Sequence, residues 1–321
     1  MEALKSKMPN IAKPVSIAVC VITCFRPNGL HRLLEGIAAQ QFTKNAEPNI
    51  RTVVVDNDVE GSARSVCEEF IVKHDMRLDY DIEKQRGIPF ARNHAVDMVK
   101  DVVDFIAIID DDEVPAKNWL DELMVAQKEF EADILTGPVA PHFMEPTAHW
   151  LQMFFGSGDL PNGQNLLRNY GYVYTSNLLA KAELFQHLRF DERFAITGAE
   201  DTHLFMQVFD KGYRAVWASN ALVTEWLPAS RTNLKWLWQR AYSRGNRFAF
   251  CELVRRGTLK TKIQRFAKGS FRFIQGVVIV IISMGRRSVF VRGVQTACLG
   301  AGMMTGSFGV EYQEYKTIHR V

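Results

Sequence analysis

The sequence has no CxxC pair, no GxGxxG turn after its first strand, no GxxxxGK[ST] loop, and no Asp or Glu between Glu252 and Glu311. Each absence excludes something. The five cysteines (Cys20, Cys24, Cys67, Cys251, Cys298) sit mostly in apolar settings such as Val19-Cys20-Val21. They exclude a disulfide-built fold and point to thiols serving as small core hydrophobes in a reducing compartment. Cys20 and Cys24 lack a second Cys or His pair nearby, so they do not make a metal site. Without the glycine motifs, neither an ordinary dinucleotide site nor a P-loop NTPase is expected. The first 14 residues are polar, with Lys5, Lys7 and Lys13, and lack the apolar core of a secretory signal. The first apolar run, Val15 to Thr23, is too short for a bilayer span.

What is present is a globular composition, 47% hydrophobic and 23% charged, in 321 residues. That length can bury one large α/β domain with an appendage. Charge is unevenly placed. Residues 1–252 hold 27 Lys/Arg and 34 Asp/Glu, a balance of −7, and residues 253–321 hold 12 and 2, a balance of +10. The modest net charge of +3 therefore hides an acidic body and a basic tail, which suggests an anionic surface as the tail's partner. Nucleic acid fits poorly, because the body is acidic and no recognition module is visible.

Strand and helix patterns alternate along the first 140 residues. Buried-strand runs occur at 16–23, 51–55, 78–82 (weaker), 105–109 and 134–140. Helical stripes follow Pro27 (Leu30, Leu33, Leu34, Ile37), Gly61, Gly87 and Pro115 (Trp119, Leu120, Leu123, Ala126, Phe130). This is the βαβ pattern of a mostly parallel, doubly wound sheet, whose right-handed crossovers gather the strand tips on one edge. The tips are polar: Thr23–Arg26, Asp56–Asp58 and Asp110–Glu113. Beyond residue 140 the pattern is looser, with strands read at 172–179 and 214–217 and helices at 200–211 and 234–254.

The densest signal is Ile108-Ile109-Asp110-Asp111-Asp112-Glu113, an apolar strand ending in four acids. Such charge costs folding energy through repulsion and desolvation. It is either a solvated acidic turn or a site for Mg²⁺ or Mn²⁺, which prefer carboxylate oxygens and bridge them to substrate phosphates.

In order, the chain carries Thr23-Cys24-Phe25-Arg26-Pro27, Val53-Val54-Val55-Asp56-Asn57, Ala91-Arg92-Asn93, Asp110-Asp111-Asp112-Glu113 and Gly198-Ala199-Glu200-Asp201. With this set it resembles a family 2 glycosyltransferase of the GT-A fold over residues 15–245. With Gly137-Pro138-Val139 added, it is similar to bacterial exopolysaccharide glucosyltransferases of the succinoglycan-assembly type. The resemblance implies that Asp56 and Asn57 meet the base of a nucleotide-sugar donor, with Thr23 and Arg26 lining that pocket. Arg92 either neutralises phosphate or pairs with a strand-tip acid. Asp110 would face the ribose and Asp112 the metal, Mn²⁺ or Mg²⁺. Asp111 would support the site or face water, and Glu113 would begin the next helix.

Asp201 is then the expected general base, supported by Glu200, for a single displacement that inverts the anomeric centre. Without a catalytic role the two acids would simply cap a helix. One departure stands out. Thr224 falls where related enzymes often place a histidine, so that either Glu225 contributes or the metal keeps more water. Trp226, Trp236 and Trp238 are sugar-stacking candidates, with core positions expected for at least two of them, and Arg240 or Arg244 is a candidate for the diphosphate.

The expected organisation is an extension (1–14), a catalytic domain (15–250, with a donor half 15–140 and an acceptor half 141–250), and a basic, apolar helical tail (251–321). Phe273–Met284 is short for a span, and Val289–Val310 carries Arg292, Gln295 and many glycines. These segments read as helices against an anionic membrane surface or, alternatively, as a packed helical subdomain. The resemblance implies a metal-dependent transferase that moves one sugar, glucose from UDP-glucose, onto a lipid-linked oligosaccharide at the cytoplasmic face of the membrane. The competing readings are a nucleotidyltransferase, which would want a glycine- and lysine-rich first loop, and a non-enzymatic membrane-associated scaffold.

Overall fold

The structure is a computed structural model that describes residues 14–74, 76–166 and 173–313. In chain order its first part is β1 (Ser16–Thr23), α1 (Pro27–Ala38), β2 (Asn49–Asp56), α2 (Arg64–His74), β3 (Leu78–Ile82), α3 (Ile88–Asp97) and β4 (Phe105–Asp110). Then come β5 (Glu113–Pro115), α4 (Trp119–Phe130), β6 (Ile134–Thr136), β7 (Val139–Phe143), α5 (His149–Gln152), β8 (Asn177–Lys181), α6 (Glu200–Asp210), β9 (Ala215–Trp217) and β10 (Val223–Leu227). Three long helices close the chain: α7 (Leu234–Arg256), α8 (Leu259–Ile282) and α9 (Arg287–Ser307).

Seven strands form one sheet in the order β3-β2-β1-β4-β8-β6-β9. It is parallel except for β8, which runs against both β4 and β6. Residues alternate between two buried faces, as a doubly covered sheet requires. Ile17, Val19 and Val21 of β1 pack with α1, α2 and α4 on one side, and Ala18 and Cys20 with α3 and α6 on the other. The register sets Thr23 beside Asp56 and Ile22 beside Asp110, so the polar tips do gather on one edge.

Two elements differ from the sequence pattern. The run at 134–140 breaks at Gly137-Pro138. β6 stays in the large sheet, and β7 joins a second sheet of order β5-β10-β7. A Cβ at Gly137 would collide with the Ala221 and Ala218 carbonyls, so the switch between sheets is built around a residue with no side chain. Glu113 does not open a helix. It starts β5, pairs with Glu225 in the antiparallel β5–β10 ladder, and is buried, while α4 begins only at Trp119. Asn177 ties the region together, accepting from Trp119 Nε1 (2.8 Å) and donating to the Pro138 and Ala221 carbonyls (3.1 and 2.7 Å).

The expected boundary at 250 falls inside α7, and the one at 140 falls inside β7. Helix α7 runs from the sheet into the tail; α8 returns antiparallel, held by an Arg265–Glu252 ion pair, and α9 packs along both. These helices meet backbone to backbone. A Cβ at Gly245, Gly302 or Gly306 would strike the α7–α9 partner, and one at Gly276 or Gly300 the α8–α9 partner. Small residues that allow such close approach are the device used between helices in apolar surroundings. Among the described residues, no helix is long and apolar enough to cross a membrane.

Candidate active site

The site begins where β1 ends. Phe25 adopts a left-handed backbone (φ 57°), which turns Arg26 back over the strand tips before α1 starts at Pro27. Gly29, in the first turn of α1, lies so close to the Asp111 carbonyl that a Cβ there would come within 2.5 Å of it. Helix and acidic turn are therefore in backbone contact. Arg26 Nη1 donates to Asp111 Oδ1 (2.9 Å) and to Asp112 Oδ2 (3.0 Å), and Thr23 Oγ1 donates to Asp111 Oδ2 (2.8 Å). Asp111 thus points inward and anchors the turn. Burial pushes its carboxyl up, Arg26 pulls it back, and Asp112 adds to the rise. For Arg26, burial opposes the charge, but Asp111 and Asp112 outweigh it and raise its pKa.

Asp112 is held from a second direction. Its carbonyl accepts from the Trp226 amide of β10 (2.8 Å), and Oδ2 accepts from Arg231 Nη1 (2.8 Å). Arg231 also lies 3.7 Å from Glu225. Glu225 is pushed up by burial and then by Asp112, and Glu113 is pushed up by burial and then by Asp110 and Asp112. At both, burial is the larger cause and the neighbouring carboxylates add to it.

Arg92 joins two motifs that are remote in sequence. From α3 it donates through Nη2 to Asp110 at the β4 tip (2.9 Å) and through Nη1 to Glu200 at the start of α6. Arg92 is paired with both acids in this structure. Gly198 and Ala199 are both left-handed (φ 72° and 76°) and set the first turn of α6 against the strand tips. Glu200 is buried, with Oε2 lacking any hydrogen-bond partner, whereas Asp201 beside it is partly exposed. The acidic pair is thus divided into an inner and an outer carboxylate.

Asp56 and Asn57 serve the loops in this structure. Asp56 is fully buried and accepts from the Asp58 and Ala63 amides (3.0 and 2.9 Å) and from Tyr80 Oη (3.1 Å). Asn57 bonds to the Glu83 and Gln85 carbonyls (2.9 Å each) and to the Gly87 amide (2.8 Å). Together they tie the 57–63 and 83–87 loops into a floor beside the acids. Of the tryptophan candidates, none is fully buried. Trp226 lies under Arg32 (4.6 Å) and against His142 (4.2 Å), and Trp236 stacks on Phe155 (5.9 Å). The fully buried tryptophans are Trp119 and Trp217.

Arg231 was not visible as a site residue from the sequence, because its partner Asp112 lies 119 residues away. Its only local signal is a lone arginine on the short connector after Glu225-Trp226. Among the described residues, no three His, Cys, Asp or Glu side chains converge into a ready-made metal cage. The donor set still fits a hard divalent ion. Asp112 offers carboxylate oxygen that two arginines already address, and Mg²⁺-type sites use one or two carboxylates with substrate phosphates supplying further ligands.

The parallel sheet, its acid-rich tips and the second sheet at one edge describe a GT-A transferase fold. Solved structures agree. A mannosyltransferase from Pyrobaculum calidifontis, solved with GDP-Man and Mn²⁺, is similar with a TM-score of 0.57 at 18% identity, covering 91% of this chain and 89% of that one. S. aureus TarS 1–349, solved with UDP, is similar with a TM-score of 0.54 at 14% identity, covering 93% of both. The pattern of glycosyl transferase family 2 matches residues 18–189, and the chain belongs to that family. It is 29% identical over 238 residues to the succinoglycan biosynthesis protein ExoM of Rhizobium meliloti, covering 74% of this chain and 75% of that protein. It is 25% identical over 248 residues to a glucosyl-dolichyl phosphate glucuronosyltransferase of Haloferax volcanii, covering 72% and 75%.

Proposed function

We propose that this glycosyltransferase inverts the anomeric centre with metal assistance, moving one sugar from a nucleotide-sugar, UDP-glucose in the first instance, onto a lipid-linked saccharide. The observation that carries the reading is the Arg92 guanidinium shared by Asp110 and Glu200. It links the strand-tip acids and the α6 acids at one sheet edge. Asp201, the outer carboxylate, takes the proton of the acceptor hydroxyl. That oxygen attacks the anomeric carbon, the bond to the leaving phosphate breaks, and the nucleotide diphosphate departs. Glu200, fixed by Arg92, holds the α6 turn in place. A divalent ion held by Asp112 would supply charge neutralisation for the diphosphate. The floor built on Asp56 and Asn57, with Thr23 and Arg26 beside it, is the proposed seat of the base.

The tail is proposed to rest on an anionic membrane surface, placing the enzyme peripherally at the cytoplasmic face. Two features support this. Leu259, Ile263, Phe271, Ile274, Val278 and Ile281 are exposed along α8, on the side away from its glycine contacts with α9. The segment 253–310 has ten Lys/Arg and no acid. Where α8 turns into α9, Trp150, Leu234, Phe290, Val291 and Arg287 line a cavity of about 440 Å³. Its apolar wall with a cationic rim suits the lipid end of such an acceptor.

The test is turnover. Purified protein with Mn²⁺ or Mg²⁺ should slowly hydrolyse UDP-glucose, and EDTA should stop it. Asp201→Asn should lower transfer by at least about 100-fold while UDP-glucose binding stays within a few-fold. Near-normal transfer by that variant would remove Asp201 as the base.

A further inference from the structure

We propose that Arg231 is the resident counter-ion of Asp112: it supplies positive charge there while the donor is absent, and it must leave before a donor-bound divalent ion can take that carboxylate. The proposal rests on the metal-assisted reading given above. Two guanidinium groups meet on the same oxygen, Asp112 Oδ2, Arg26 at 3.0 Å and Arg231 at 2.8 Å, but they are anchored very differently. Arg26 is also bonded to Asp111 (2.9 Å), which Thr23 fixes in turn, and it sits at the head of α1. Arg231 stands on a single short turn, Ala229–Arg231, whose neighbours Ala229 and Ser230 are exposed. Its other acid, Glu225, lies 3.7 Å away, beyond direct hydrogen-bond reach. Of the two cations, Arg231 is the one that can move without dismantling a strand tip.

Displacement is then a matter of charge. A divalent ion on Asp112 would share that carboxylate with the Arg231 guanidinium, which stands 2.8 Å from Oδ2. Two positive charges sharing one carboxylate repel each other, and more so where water is partly excluded. Among the described residues there is no ready-made cage, so the ion would gain most of its remaining ligands from the diphosphate. Ion and nucleotide should therefore bind together, each poorly alone, with Arg231 enforcing the order. Once released, its fork matches phosphate oxygens as well as it matched a carboxylate.

The experiment titrates Mn²⁺ into the full-length protein, with and without UDP, and follows free Mn²⁺ by electron paramagnetic resonance. Wild type should bind Mn²⁺ at least about tenfold more tightly with UDP than without. Arg231→Gln should bind Mn²⁺ alone about tenfold more tightly than wild type, a change of about 1.4 kcal/mol. Asp112→Asn should lose the site in both conditions. Arg231→Lys, which keeps the charge but not the planar fork, should show a smaller rise and covers the case in which Gln unsettles the connector. Mn²⁺ affinity without UDP that is unchanged or weaker in both Arg231 variants overturns the proposal and leaves the metal reading standing. If wild type binds UDP but takes up no Mn²⁺ with it, the metal reading itself fails, and this inference with it.

Discussion

The sheet edge and the tail solve opposite charge problems. At the edge, Asp110, Asp111, Asp112, Glu113, Glu200 and Glu225 crowd together, and Arg26, Arg92 and Arg231 are threaded between them from three separate elements. In the segment 253–310 of the tail, ten basic residues have no acid of their own segment to face. Arg255 and Arg265 reach back to Asp210 and Glu252. The packing differs as well. The sheet interior is held by interdigitating Leu, Ile, Val and Phe side chains, the tail by helices touching at glycines with apolar side chains turned outward. Buried charge must be compensated within a few ångströms, because burial makes any residual imbalance costly. Exposed charge on a helical surface can wait for an outside partner.

The strongest way to break this contrast is at Arg92. Arg92→Met leaves Glu200 buried beside Asp201 without its cation, and should destabilise the fold by about 3–5 kcal/mol in urea unfolding. A loss under about 1 kcal/mol would mean that the edge does not depend on the bridge. Next in size is the tail. Phe271→Glu with Ile274→Glu changes two exposed side chains of α8, so the melting temperature should hardly move. Flotation with anionic liposomes should fall by about tenfold or more. Equal flotation would take α8 out of the contact.

The smallest effect sharpens the electrostatics. Glu200 is raised to about 7, by burial first, against the opposing pull of Arg92, with Asp201 adding to the rise. An acid whose folded pKa lies above its unfolded value binds more protons in the folded chain. Its contribution to stability is therefore present at low pH and is lost as pH climbs from about 4.5 to about 7. Glu200→Gln cannot titrate, so its melting temperature should gain on wild type by about 2 °C or more between pH 5 and pH 8. A constant difference would show that burial does not dominate at Glu200.

Much of the catalytic half was legible because β1, β2 and β4 are uninterrupted apolar runs ending in acids, and parallel-strand topology then fixes which tips meet. The likeness to family 2 glycosyltransferases also came from those tips, since their order along the chain is itself a signal. The small sheet was hidden. β5 has three residues, and its pairing with β10 spans more than 100 positions, so Glu113 looked like a helix start. Asp56 and Asn57 were visible as strand-tip polar residues, but not their bonds to loops 57–63 and 83–87, which depend on where those loops return. Arg231 was invisible for the same reason. Local pattern reports which face is buried, and tertiary closure decides which charge answers which.

The glycine seams of the tail have a mechanical consequence. Helices locked at their backbones cannot slide or splay as pairs joined by long side chains can, so α7, α8 and α9 behave as one strut. Because α7 starts two residues after Thr232 and runs about 34 Å, any surface on which that strut lay would fix how far the strand-tip acids stand from it. If the proposed acceptor is held on that surface, its length would then have to match that distance.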